Sequence, residues 1–184
     1  TSLDAWSDDK GGATAWKIKN GALVAGPGQI LSRDKFGPVQ AHLEWRLPAG
    51  RKVNGQTGGN SGIFYRGTEN PVPKKHPLFE SAPEMQVLDD ERHADGKSPL
   101  TSAGSNYGLY PAPRGVVKAA NQWNRVRILV RGNDVEHWLN ETKVVECELG
   151  SADWKQRVRD SKFAKWPAYG VRTEGVIGVQ DHGD

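Results

Sequence analysis

Val39 to Leu47 reads V-Q-A-H-L-E-W-R-L, in which apolar and polar residues alternate without interruption. Successive side chains of a β-strand point to opposite faces, so a period of two predicts a strand with one buried face. One-sided burial is typical of antiparallel sheets. The residues predicted to face inward are Val39, Ala41, Leu43, Trp45 and Leu47.

Comparable short segments recur along the chain between turn residues. Asn20-Gly21 separates two apolar runs, which is a strong hairpin signal. Further strands are predicted at 61–66, 84–88, 123–130, 135–140, 143–149 and 176–180, and a short charged helix within 152–165. The strand registers predict seven core side chains: Trp45, Ile63, Met85, Val87, Ile128, Leu139 and Val179.

Composition supports an all-β protein. The 184 residues fit one domain, 1–184, and include 22 glycines, 11 prolines and seven tryptophans. Many short strands separated by glycine and proline turns predict a two-sheet antiparallel jelly-roll sandwich with at most one or two short helices.

Charge and cysteine content exclude several classes. The net charge of +3 is scattered, so no nucleic-acid partner is predicted. No apolar run approaches the roughly 20 residues that a membrane span needs. The single Cys147 lies in an apolar stretch and is interpreted as a buried thiol. Nothing in the sequence specifies an oligomeric state.

Glu84 to Asp89, E-M-Q-V-L-D, is the most informative polar segment. Alternation places Met85 and Val87 in the core and Glu84 and Gln86 on the opposite, exposed face. A carboxylate and an amide side by side can bind hydroxyls or transfer protons, although a half-solvated sheet face explains the same pattern. The spacing only partly matches the E-x-D-x-x-E of retaining glucanases.

Two further segments carry side chains suited to sugar chemistry. Arg66 is expected on the face of Gly62, where its guanidinium can hold a carboxylate or a sugar oxygen, or form a structural ion pair. Gln180 and His182 share the non-core side of the last strand, and a histidine there titrates near neutral pH. A surface histidine is the alternative.

No metal site is predicted. His76, His93 and His137 lack metal-ligand spacing. Asp89, Asp90, Glu91 and Asp95 are of the residue type that binds calcium, but the segment lacks a complete ligand pattern. We therefore expect no cofactor, with calcium as the one divalent cation these residues suggest.

Several stretches together resemble the 3-keto-disaccharide hydrolase domain family. They are H-L-E-W-R (42–46), G-G-N-S-G-I-F-Y-R-G (58–67), P-E-M-Q-V-L-D-D (83–90), N-Y-G-L-Y (106–110), Q-W-N (122–124), H-W-L-N (137–140) and I-G-V-Q-D-H-G (177–183). The resemblance implies a concanavalin A-like jelly roll, usually exported, that acts on glycosides whose C3 hydroxyl is oxidised to a ketone. Strands that the family has at both ends are expected to be missing here.

The resemblance also implies a set of site residues lining one groove. They are Asn60, Arg66, Glu84, Gln86, Asp89, Tyr107, Gln180 and His182. A C3 ketone acidifies the C2 proton, so we expect Glu84 or Asp89 to act as base and His182 as proton donor or hydroxyl ligand. The expected alternative is a carbohydrate-binding module without catalysis on the same fold.

Overall fold

The computed structural model describes residues 2–50, 52–68 and 78–182. Its strands are β1 (Trp6–Ser7), β2 (Lys17–Lys19), β3 (Ala22–Val24), β4 (Ile30–Ser32), β5 (Val39–Trp45), β6 (Asn60–Gly67), β7 (Glu84–Leu88), β8 (Asn124–Arg131), β9 (Asp134–Leu139), β10 (Thr142–Glu148) and β11 (Val176–Val179). The described residues also form one α-helix, α1 (Ala152–Arg159), and three 3-10 turns, at Leu78–Glu80, Ala94–Lys97 and Lys162–Lys165.

Two antiparallel sheets form a sandwich, which confirms the predicted fold class. The five-stranded sheet has the order β1-β4-β11-β6-β7, and the four-stranded sheet has the order β10-β9-β8-β5. β2 and β3 form a separate ribbon around Asn20-Gly21, both of which have positive φ as a tight hairpin turn requires. The last strand, β11, pairs on both sides with β4 and β6.

The core lies between the two sheets. Ile63 and Met85 from the first sheet pack with Ile128 and Leu139 from the second. Five of the seven predicted core side chains are buried, whereas Trp45 and Val179 are only half-buried. We call the side of the five-stranded sheet that faces away from this core the outer face.

The sequence pattern missed two strands and joined two helical pieces. β1 and β4 have two and three residues, which is too short for a visible period. The predicted helix over 152–165 ends at Arg159, and a separate 3-10 turn begins at Lys162. Ser161 starts this turn by accepting a hydrogen bond from Phe163 N.

A buried polar network crosses the core at His137. Its Nδ1 donates to the Gly104 carbonyl, and its Nε2 accepts from the Tyr65 hydroxyl, which in turn accepts from Asn106 Nδ2. Burial lowers the pKa of His137 to about 4, so the ring is neutral near pH 7. Asn106 also contacts Cys147, which is a buried free thiol as predicted. Burial raises the pKa of the Cys147 thiol to about 12.

Candidate functional site

Glu84 is held by hydrogen bonds on both sides of its strand. β7 pairs with β6, which places Phe64 opposite Glu84 and Gly62 opposite Gln86. On the other edge, Tyr107 N donates to the Glu84 carbonyl oxygen at 3.0 Å. The backbone that carries Glu84 is therefore fixed on both sides, as a catalytic or binding carboxyl needs.

The Glu84 side chain occupies space left by a glycine. A Cβ built on Gly62 would lie 2.0 Å from Glu84 Oε1, so no other residue fits there without moving the carboxyl. One amide atom of Gln86 lies 3.1 Å from both Glu84 Oε1 and the Ser61 carbonyl oxygen, which identifies it as the donating nitrogen. The other amide atom of Gln86 faces the Asn60 amide at 3.2 Å.

Glu84 and Gln86, on the outer face, are more buried than the sequence predicts. Alternation correctly separates Glu84 and Gln86 from the core residues, but their exposed fractions are only 8% and 2%. The expectation of a half-solvated face is therefore wrong, because both side chains are almost fully buried. Segment 104–107 hydrogen-bonds along the edge of β7.

This burial changes the ionisation of the carboxyl. It raises the pKa of Glu84 to about 8, while the nearby Lys162 ammonium lowers that pKa and Asp95 raises it. A carboxyl with such a pKa exchanges protons close to neutral pH. Strongly perturbed groups of this kind are typical of functional sites.

Tyr107 connects Glu84 to Lys162, which the sequence did not single out, and to Asp95, which the sequence suggested only as a calcium ligand. Its hydroxyl donates to Asp95 Oδ2 at 3.2 Å, and Lys162 Nζ lies 4.3 Å from its ring centroid. The carboxyl of Asp95 and the ammonium of Lys162, which both contact this tyrosine, also act electrostatically on Glu84. Local periodicity could not predict that positions 84, 95, 107 and 162 come together, because only long-range packing brings these segments into contact.

Asp89 lies at the far end of β7. It follows Glu84 by five positions, which is a distance of about 17 Å along an extended backbone. Its backbone N donates to the Gly59 carbonyl oxygen, and its carboxylate lies 3.9 Å from Arg92. Glu84 and Asp89 are therefore too far apart to form the carboxylate pair of a retaining glycosidase.

Arg66 does not lie beside Gly62, so the placement predicted for it is wrong. Its φ of 54° and a register shift between β6 and β11 mark a β-bulge, and a bulge interrupts the alternation on which the expectation depended. Arg66 is 3% exposed, and its guanidinium donates to the Gly132 carbonyl oxygen at the β8–β9 turn.

The end of β11 lies next to Gly62. Gln180 N donates to the Gly62 carbonyl oxygen at 3.1 Å, and Ser61 Oγ donates to the Gln180 carbonyl oxygen at 2.7 Å. Gln180 and His182 are both half-buried. The backbone thus brings Gln180 to the Glu84 face, and His182 follows two residues later.

The loop carboxylates considered for calcium have separate protein partners. Asp90 accepts from Ala103 N at 2.8 Å and Asp95 accepts from Tyr107. Over the described ranges, no group of three metal-ligating side chains comes together. His93 is buried and bonds to Gly55 and Asp95, and His76 lies outside the described residues.

A cavity of about 450 Å³ lies between α1 and segment 164–173, and Glu84 is not among its lining residues. Trp154, Trp166 and Tyr169 line it, and its described lining residues include no carboxylate. The cavity therefore offers no side chain that would act as a base at neutral pH. The Glu84 cluster is the better candidate for chemistry.

The fold and the buried carboxyl together define a concanavalin A-like sandwich with an ionisable site on one sheet. The 3-keto-alpha-glucoside-1,2-lyase-like domain model matches residues 1–184, and the chain belongs to this family. No helix of the described ranges is long and apolar enough to span a membrane.

Relatives and solved structures agree with this assignment. A Bacteroides thetaiotaomicron protein named 3-keto-disaccharide hydrolase is 34% identical over 176 residues, which cover 85% of this chain and 58% of that protein. This chain therefore spans less than two thirds of that relative. A candidate glycosyl hydrolase from Parabacteroides distasonis is 31% identical, with a TM-score of 0.83 and coverage of 98% of this chain and 83% of that one.

A more distant structure shares the fold alone. The carbohydrate-binding module CBM66 of Bacillus subtilis has a TM-score of 0.54 at 14% identity, and covers 96% of this chain and 87% of that module. At this identity the likeness shows a common sandwich and carries no functional argument.

Proposed function

We propose that this chain cleaves the glycosidic bond of 3-keto-glycosides, including 3-keto-disaccharides, with Glu84 as the base. The observation that carries the proposal is the buried Glu84 carboxyl, which a glycine accommodates and whose pKa is about 8. A base with a pKa near the working pH is efficient in proton transfer. The name of the Bacteroides relative supports the substrate class.

The proposed reaction is elimination followed by hydration. The Glu84 carboxylate removes the C2 proton, and the electron pair of that C–H bond forms the C1–C2 double bond as the C1–O bond breaks. The departing oxygen takes a proton, for which His182 is the proposed donor. Water then adds to C1 and a proton returns to C2, so the net change is hydrolysis.

The spacing of the carboxyls favours this route over double displacement. A retaining glycosidase needs two carboxyls about 5–5.5 Å apart, and Asp89 lies about 17 Å along the strand from Glu84. Elimination needs one base because the ketone already acidifies C2. Gln86, Asn60 and Tyr107 are proposed to orient the sugar hydroxyls, since the Gln86 amide contacts both the Glu84 carboxyl and the Asn60 amide, and Tyr107 bonds to the Glu84 backbone.

The test compares one glycoside in two oxidation states. The wild-type protein is incubated with a 3-keto-glucoside and with its unoxidised parent, and released aglycone is measured. We expect release from the keto sugar only, and a loss of about 10²–10⁴-fold in Glu84→Gln. Asp89→Asn, which tests the rival base, should keep most of the activity.

Two results would contradict the proposal. Unchanged turnover in Glu84→Gln would exclude that carboxyl as the base. A wild-type protein that binds glycans but releases no aglycone from keto-glycosides would establish the alternative, a non-catalytic carbohydrate-binding module.

A further inference from the structure

The 3-10 turn at Lys162–Lys165 holds Lys162 against the site. Its Phe163 is buried and stacks on Tyr169 with ring centroids 4.1 Å apart. A Cβ on Gly108 would lie 3.1 Å from the Phe163 ring, so the turn packs closely against the segment that carries Tyr107. The turn is thus anchored by an aromatic core residue one position after the lysine.

Lys162 reaches from this turn over the tyrosine beside Glu84. Its Nζ lies 4.3 Å from the Tyr107 ring centroid and 5.3 Å from that of Phe163. Cations are attracted to the faces of aromatic rings at such distances. Tyr107 is fixed in turn, because its N donates to the Glu84 carbonyl oxygen and its hydroxyl donates to Asp95.

We propose that Lys162 is a positioning residue that acts as the electrostatic partner of Glu84 and sets the pH at which this carboxyl becomes a base. Four groups interact electrostatically with Glu84: the Lys162 ammonium, the Asp95 carboxylate and the phenols of Tyr107 and Tyr169. Of these, only the lysine carries positive charge. It favours the ionised carboxylate, whereas burial and Asp95 oppose ionisation.

Reciprocal shifts support this partnership. Burial lowers the pKa of Lys162, the Glu84 and Asp95 carboxylates raise it, and the Lys165 ammonium lowers it. Lys165, on the same turn, offers a matched comparison, because its Nζ lies 4.6 Å from the Trp166 ring centroid and it does not act on Glu84. A change of charge at Lys162 should therefore move the titration of Glu84, and the same change at Lys165 should not.

The experiment measures protonation of Glu84 directly, by NMR of ¹³C-labelled glutamate carboxyls in the free protein between pH 5 and 10. Glu84→Gln assigns the signal. We expect a midpoint near 8 in the wild type, an increase of about 0.5 to 2 pH units in Lys162→Met, and no change in Lys165→Met. Lys162→Arg keeps the charge and should restore the wild-type midpoint.

An unchanged or lowered Glu84 midpoint in Lys162→Met would overturn the partnership. Near-UV circular dichroism checks that this variant is folded, and Lys162→Gln replaces it if it is not. The base role of Glu84 rests on the proposed function, but the titration needs no sugar. Loss of keto-glycoside cleavage and failure of the lysine partnership are therefore separate results.

Discussion

Replacement of Gly62 by alanine tests the geometry of the site without removing any functional group. The new Cβ would lie 2.0 Å from Glu84 Oε1, 2.7 Å from Cδ and 2.9 Å from Cγ. An ordinary contact begins at 3.4 Å, so the carboxyl oxygen has to move by about 1.4 Å, the difference between 3.4 and 2.0 Å. The φ of Gly62 is not in the left-handed region, so alanine strains the contact rather than the backbone.

A displacement of this size should reduce turnover of a 3-keto-glucoside by about 10²-fold, because proton abstraction depends on placement within a fraction of an ångström. The cost in folding stability should be about 1–3 kcal/mol, as for other overpacked sites. Gly37→Ala is the matched control, since its Cβ meets Thr173 O at an ordinary 3.4 Å, away from Glu84.

The assay compares aglycone release and urea unfolding for both alanine variants. Full turnover in a folded Gly62→Ala protein would refute the argument that this glycine exists to accommodate the Glu84 carboxyl. An equal loss in Gly37→Ala would show that the effect is not specific to the site.

Three further predictions concern stability. Glu84 has a pKa of about 8 in the folded state against a reference of 4.5, so the folded state keeps its proton to a higher pH than the unfolded state does. The free energy of unfolding should therefore fall by up to about 1.4 kcal/mol per pH unit as the pH rises from 6.5 to 8. Urea titrations of Glu84→Gln should lack this slope. His137 has a pKa of about 4 in the folded state against a reference of 6.5. In the Glu84→Gln background, which lacks the Glu84 titration, stability should fall as the pH drops from 6.5 to 4. A flat stability profile over that pH range would contradict a buried neutral His137 ring. Arg66→Met should lower stability by about 1–3 kcal/mol through the lost bond to Gly132 and leave turnover intact; lost turnover with intact stability would return Arg66 to the site.

Local sequence patterns predicted most of the longer strands. β5 follows unbroken alternation, β7 alternates from Glu84 to Val87, and the β2–β3 ribbon follows from Asn20-Gly21. Patterns of this kind report burial on two faces and therefore need only neighbouring residues. They placed Glu84 and Gln86 on the correct face but did not predict that both side chains are almost fully buried, because burial depends on parts of the chain that are distant in sequence.

The sequence could not predict contacts between distant segments. Arg66 was misplaced because a β-bulge reverses parity without a distinctive residue at that point. Asp95 and Lys162 were missed as site residues because they come from a 3-10 turn and the segment after α1, and only tertiary packing brings them to Glu84. The clearest sequence signal for these two residues was Tyr107, a predicted site residue that contacts both Asp95 and Lys162.

The fate of the C2 hydrogen tests the central proposal most directly. Cleavage of a 3-keto-glucoside carrying deuterium at C2 is compared with cleavage of the unlabelled sugar by the wild-type protein and by Glu84→Gln. We expect slower release from the deuterated sugar in the wild type and almost no release from either sugar in the variant. Equal rates for the two sugars in single-turnover cleavage, with undiminished activity in Glu84→Gln, would contradict proton abstraction by Glu84.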